Sequence, residues 1–351
     1  MTAIATPDWK ANGALGAARG ARTEPGDPIG SWHLLAGITT TRGPAREALA
    51  AEGATRTVVA AVVRDRKNRQ EAWGGDDDAE NSVDSRKILG DDGDEGLNYT
   101  GAAVRALTSA MEVARRDAAT KFGTGHLLRG LLAEDNRAVE LLATCGIAPD
   151  AVLARLDGET APRPDDLDPL LHPTRDILLG RDHYRRMVFW KRWLLSRGGV
   201  NWASRPAWWV SLETHEQARR LGDGEVGTEH VLLAILATHE VASRYPHLAG
   251  ERAPDPGPRY AGGERLAGLG LGYVAVHAAL TGGDRPRMTP DPRPVEGYLD
   301  EATSRNAAPA ESGSACATTV DPGTGPLVEA LLGEETRARQ LVEALGATLG
   351  D

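Results

Sequence analysis

The chain has 351 residues, a formal net charge of −10 and only two cysteines, Cys145 and Cys316. That length accommodates two domains with linkers, and the acidic balance excludes a general nucleic-acid binder held by phosphate charge. Two cysteines in different predicted domains exclude a disulfide framework, no apolar run is long enough to span a membrane, and residues 1–10 lack a signal-peptide core, so the expected compartment is the cytoplasm.

Taken in chain order, four stretches repeat one pattern: Ile29-Gly30-Ser31-Trp32-His33-Leu34-Leu35, Phe122-Gly123-Thr124-Gly125-His126-Leu127-Leu128, Val226-Gly227-Thr228-Glu229-His230-Val231-Leu232 and Pro322-Gly323-Thr324-Gly325-Pro326-Leu327-Val328. A second glycine follows the first after 23 residues in three of them, at Gly53, Gly146 and Gly346. In the third, Gly270 comes later, displaced by a Pro/Gly/Arg-rich insertion around 243–263. Repetition at this scale predicts stacked helical units. The Ser or Thr after each first glycine suits a helix N-cap, where its hydroxyl accepts from backbone N–H groups. Leu127, Leu128, Leu131 and Leu132 then have helical spacing, as do Leu327, Val328, Leu331 and Leu332. A further helix carries Ala138, Leu141 and Leu142, matched by Ala338, Leu341 and Val342. Gly146 and Gly346 stand where a helix C-terminus needs a left-handed residue. A last short helix carries Val152 and Leu156, matched by Val59 with Val63 and by Val276 with Leu280; the fourth repeat lacks it. Thr100 is placed to cap a helix with Val104, Leu107, Met111 and Ala114 on one face.

The cassette of Gly-Thr, His and paired leucines, with the later glycine and closing helix, resembles the N-terminal repeat domain of Clp/ClpC-type unfoldases. The resemblance is closest over 98–158, nearly as good over 212–237, and weaker in the first and fourth repeats. It implies an all-α fold of tandem Clp-N-like domains, each of two pseudo-symmetric four-helix repeats. The expected divisions are 1–158 with an acidic linker near 74–96, a basic and aromatic connecting segment at 159–207, and a divergent second domain at 208–351. The acidic linker reads as a solvated, disordered loop, and residues 286–294 as a second flexible segment.

Searches for chemistry return little. There is no phosphate loop, so the ATPase modules of a Clp unfoldase are missing; His-Glu-x-x-His, Cys-x-x-Cys and Gly-x-Ser-x-Gly are absent too. Gly268-Leu-Gly270-Leu-Gly272 follows no strand, and Gly270 is explained as a helix end. No catalytic residue, metal site or cofactor is expected, and the chain is read as a non-enzyme. Ser31, His33, Thr124, His126 and Thr324 read as helix-cap positions, with the histidines bonding to backbone near each helix start.

The family resemblance implies recognition of phosphorylated arginine at the Gly-Thr-Glu-His corner, Glu taking the guanidinium and nearby donors the phosphoryl group. Only Thr228, Glu229 and His230 keep the full triplet, so they are the candidate ligand site. A second candidate is the basic, aromatic stretch 181–197, with Tyr184, Arg185, Trp190, Arg192 and Trp193 as partner-binding residues. It reads either as a docking helix or as packing between domains. The expected function is an adaptor or modulator that binds a Clp unfoldase or its protein substrates. The alternatives are a decoy for cyclic-peptide ligands of the unfoldase and an unrecognised enzyme. Neither nucleic acid nor membrane is an expected partner.

Overall fold

The computed structural model describes residues 6–24, 26–159, 166–185, 200–249, 257–283, 285–304 and 321–348, and these contain eighteen α-helices. They fall into two units, residues 6–159 with 179–181, and residues 166–178 with 182–348.

In unit 1 the first repeat runs α1 (Trp9–Gly20), α2 (Ser31–Thr40), α3 (Pro44–Ala51) and α4 (Arg56–Arg69). The second runs α6 (Gly101–Arg116), α7 (Thr124–Leu131), α8 (Arg137–Thr144) and α9 (Pro149–Leu156), with a short α5 (Ser85–Leu89) in the linker. Two-residue strands tie the repeats reciprocally. β1 (Thr6–Pro7), ahead of α1, pairs parallel with β4 (Lys121–Phe122), ahead of α7. Tyr99 of β3 (Asn98–Tyr99), ahead of α6, bridges to Ile29, ahead of α2. The chain thus enters each α1-type helix beside the entrance to the other repeat's α2-type helix. β2 (Val83–Asp84) pairs antiparallel with β3.

Helix pairing rests on small residues. α1 buries Ala11, Ala14 and Ala18, and α6 buries Ala103, Ala106, Ala110 and Ala114. A Cβ on Gly37 would lie 2.1 Å from the Ala14 carbonyl oxygen, and one on Gly130 would lie 2.3 Å from that of Ala106. Backbone contact at both crossings brings the leucine stripes together. Leu34, Leu35, Leu127, Leu128 and Leu131 are all fully buried.

Unit 2 holds α10 (His172–Leu178), α11 (Pro206–Leu221), α12 (Thr228–Arg244), α13 (Pro246–Ala249), α14 (Ala261–Gly268), α15 (Tyr273–Thr281), α16 (Val295–Ser304), α17 (Gly325–Gly333) and α18 (Arg337–Ala344). Setting aside α5, α10 and α13, the helix order among the described residues follows that of unit 1 with one helix fewer. The helix-ending glycines Gly53, Gly146, Gly270 and Gly346 all have positive φ, between 67° and 100°, where any other residue is strained.

Two expectations about local structure are corrected. The glycine, not the Ser or Thr, is the N-cap at the first three corners, which places Ser31, Thr124 and Thr228 as the first residues inside their helices. The acidic segment is not a solvated loop at its start. Asp77 is 5% exposed, and it and Asp78 adopt left-handed backbone at φ 61° and 58°. Aspartate tolerates that region better than most residues, yet at some cost, so contacts made by the pair must hold it there.

Candidate functional site

Each corner is the start of an α2-type helix, and its histidine does the same work in three repeats. Gly30, Gly123 and Gly227 N–H donate to Nδ1 of His33, His126 and His230 at 2.9, 3.0 and 2.9 Å. An N-cap N–H that would otherwise lack a partner is thereby satisfied from the third helical position. Because Nδ1 accepts, the neutral ring carries its proton on Nε2. That nitrogen faces Asp117 Oδ2 at 3.2 Å in the second repeat and Asp223 Oδ2 at 3.0 Å in the third.

His33 is 7% exposed, and burial holds its pKa down to about 4 against the raising effect of Asp77. The unfolded chain takes up a proton there below 6.5, the folded chain only below about 4. The stability tied to the neutral ring is therefore complete above that window and declines as pH falls through it. His33→Gln keeps an acceptor for Gly30 N–H but does not titrate. Its denaturation curve should lose up to roughly 3 kcal/mol less than wild type between neutrality and about pH 4. Parallel pH–stability curves for the two proteins would refute this account.

The hydroxyls of the corners are cross-links between helix starts. In unit 1 the Ser31 N–H donates to Asp77 Oδ2 at 2.6 Å, and the Ser31 hydroxyl donates to Asp77 Oδ1. The same carboxylate accepts from the Thr100 hydroxyl at 3.1 Å and from the Arg137 N–H at 3.3 Å, while Ala138 N–H donates to Ser31 Oγ at 3.2 Å. One carboxylate thus joins the first turns of α2, α6 and α8. In unit 2 the pattern recurs on Asp291. Thr228 N–H donates to Oδ2 at 2.9 Å, the Thr228 hydroxyl to Oδ1 at 2.6 Å, Arg337 N–H to Oδ1 at 2.8 Å, and Ala338 N–H to Thr228 Oγ1 at 2.9 Å.

The remaining corners vary the theme. At Thr324 a backbone carbonyl replaces the carboxylate: Arg259 O accepts from Thr324 N–H at 2.8 Å, and Gly262 N–H donates to Thr324 Oγ1 at 3.1 Å. At Thr124 the nearby acid is Asp8, the N-cap of α1, whose Oδ2 would lie 2.9 Å from a Cβ on Gly123.

Thr228, Glu229 and His230 are therefore together, but not around an open pocket; all three are at most 1% exposed. Glu229 Oε1 lies 3.3 Å from an Arg337 guanidinium nitrogen and 3.7 Å from one of Arg285. Arg285 also pairs with Asp223 at 3.1 Å. Burial would raise the Asp223 carboxyl, but bonds from Arg285 and His230 outweigh it, and its pKa lies below the ordinary value. The expected ligand corner is thus already filled by the chain's own anion and its own guanidinium groups. Ligand atoms of Asp223, Glu229 and His230 lie within 4.8 Å of one another, a spacing that suits a metal ion. The bonding does not: His230 Nδ1 is taken by Gly227, Nε2 bears the proton directed at Asp223, and two guanidinium groups attend the carboxylates.

In unit 1, Trp32 stands where unit 2 has Glu229. Its ring stacks 6.3 Å from that of Trp73, and the Arg66 and Arg137 guanidiniums lie 4.5 and 5.7 Å from the Trp73 ring.

The second candidate surface is also corrected in part. Tyr184 is 1% exposed, its hydroxyl donating to Glu213 Oε2 at 2.6 Å and accepting from Trp209 Nε1 at 2.7 Å. Burial first, then the Glu213 charge, pushes its pKa well above the ordinary phenol value. A side chain so enclosed is not a docking residue. Arg185 is exposed. Trp190, Arg192 and Trp193 lie outside the described residues.

Sequence reasoning missed Asp77, Asp291, Arg285 and Arg337. Asp77 and Asp291 follow their corner hydroxyls by 46 and 63 residues, so no shared spacing marks them.

The family comparison falls on this framework. The family model for the Clp repeat (R) N-terminal domain matches residues 98–178. Residues 98–178 are thus similar to a Clp repeat N-terminal domain. The match covers β3 and α6 to α9, with the Thr124 corner, and runs on through α10. Domains of this kind are protein-interaction modules of Clp unfoldases. No curated protein matches the chain. Among the described residues no helix is long and apolar enough to cross a membrane.

Proposed function

We propose that this is a non-catalytic recognition protein of the cytosol, an adaptor or modulator of a Clp unfoldase–protease, with unit 2 a divergent second copy of the repeat domain. The observation that carries the reading is the carboxylate-bridged corner. The same four hydrogen bonds join a Ser/Thr hydroxyl, its own N–H and a second helix start in unit 1 and in unit 2. Tandem units of one binding fold suit a protein that engages two sites of a partner at once.

The test is reconstitution with a purified Clp unfoldase and its peptidase. The full chain should bind the unfoldase in sedimentation experiments and change the rate at which a model substrate is degraded. Alone, it should not hydrolyse ATP or peptides. Unchanged degradation together with no association would sink the adaptor reading. ATP turnover abolished by a point change in this chain would sink the non-catalytic one.

A further inference from the structure

We propose that α9 (Pro149–Leu156) is a detachable cover on unit 1, lifting and reseating while the rest of the unit stays folded. Unit 1 alone is involved, so neither outcome bears on the adaptor reading.

The helices that close the repeats differ in how much they bury, and α9 buries least. Val152 is its only buried residue, with Leu153 and Leu156 half-buried beside it. In the same place α4 buries Val58, Val59, Ala61, Val62 and Asp65, and α15 buries Tyr273, Val276 and Leu280. The start of α9 is also weaker. Its N-cap is Ala148, whose side chain cannot accept from the free N–H groups, whereas the Thr55 hydroxyl accepts from Val58 N–H at 3.3 Å to cap α4. Clefts border α9 on two sides. One of about 320 Å³ is lined by Ala151, Ala154 and Arg155 with Glu52, and one of about 500 Å³ by Leu153 and Asp157 with Val113 and Arg129. Side chains facing a cleft lack the close neighbours that give a core its dispersion energy.

Charge supplies much of what holds the helix down. Arg155 Nε donates at 2.7 Å to Oε1 of Glu52, the residue that ends α3, and the Glu52 side chain is only 3% exposed. Arg129 of α7 pairs with Asp157 nearer the surface. An exposed pair holds little, whereas a buried one is costly to break from one side. Glu52–Arg155 is therefore the latch. Unit 2 provides an independent observation. Among its described residues no helix follows α18, yet Leu266, Leu341 and Val342 are fully buried. Core closure in unit 2 thus involves no α9-like helix among the described residues. A helix with few buried apolar contacts opens locally, at less than the free energy of global unfolding.

The test is amide hydrogen exchange on the full chain, under conditions where exchange reports the opening equilibrium. Amides over 153–157 should exchange roughly a hundredfold faster than those of Leu128 and Leu131 in α7, whose side chains are fully buried. Arg155→Met keeps the length of the side chain but removes the guanidinium that holds Glu52. It should raise exchange over 153–157 about tenfold or more and leave α7 unchanged. Ala151→Leu, which fills the smaller cleft, should slow exchange over 153–157 and again leave α7 unchanged. Equal protection of α9 and α7 in the wild type would overturn the cover, as would Arg155→Met speeding both helices alike. If Arg155→Met does not fold, the wild type and Ala151→Leu decide: a filled cleft that slows neither helix, or both equally, means that α9 opens only with the whole unit.

Discussion

Asp77→Ala should destabilise unit 1 by about 3–5 kcal/mol, among the larger effects a single substitution produces. The carboxylate is buried and gathers four donors: Ser31 N–H, the Ser31 and Thr100 hydroxyls, and Arg137 N–H. Alanine leaves them facing one another without an acceptor, and each orphaned donor costs about 1–3 kcal/mol before relaxation and water entry reduce the sum. Nothing is gained in packing, because the chain still holds left-handed backbone at Asp77 and Asp78. Asp94→Ala is the control. Its partner Arg19 is half exposed in an ion pair at the surface of the same unit, and loss of such a pair costs about 0–1 kcal/mol. Urea denaturation gives the stabilities, and hydrogen exchange should show Ser31 and Arg137 amides losing protection first. A stability within about 1 kcal/mol of wild type would mean that water serves the corner as well as Asp77 does, and that the bridge is incidental.

The same residue shows where sequence reasoning stops. The helices were legible because their signals are local. The leucine spacing after each corner, the Thr100 cap of α6 and the left-handed glycines that end α3, α8, α14 and α18 all lie within a few residues of what they cause. The histidines were legible for the same reason, each bonding three residues back. The contents of the corners were not. Asp77 reads as one acid in an acidic run, and composition alone assigns such a run to solvent. Only the fold brings it onto Ser31 and Thr100. Glu229 misled in the opposite way. Its motif reads as an open carboxylate, but Arg337, 108 residues later, arrives at the start of α18 and pairs with it. Tyr184 falls by composition in the basic aromatic stretch, but its hydroxyl bonds a buried glutamate on α11.

That glutamate carries the second large effect. Glu213 is fully buried on α11, yet nothing in its neighbourhood in sequence marks it as an interior charge. Its Oε1 accepts from the Thr174 hydroxyl, the Gln217 amide and the Arg220 guanidinium at 2.7, 2.8 and 2.7 Å, and its Oε2 accepts from Tyr184. It therefore pins α10 and the chain at Tyr184 onto α11 of the same unit. Glu213→Ala should cost about 3–5 kcal/mol, since it strands a largely buried guanidinium and three further donors. Glu213→Leu/Arg220→Leu removes the charge pair together and should recover a substantial part of that loss, because apolar replacement of both partners spares the unpaired charge. The Trp209 indole bonds the Tyr184 hydroxyl, so tryptophan fluorescence should report the change alongside denaturation. If the single and double variants were equally destabilised, the cost would lie in shape rather than charge, and Glu213 would be a packing residue whose donors find other acceptors. If instead the double variant recovers, the anchor of Tyr184 is electrostatic.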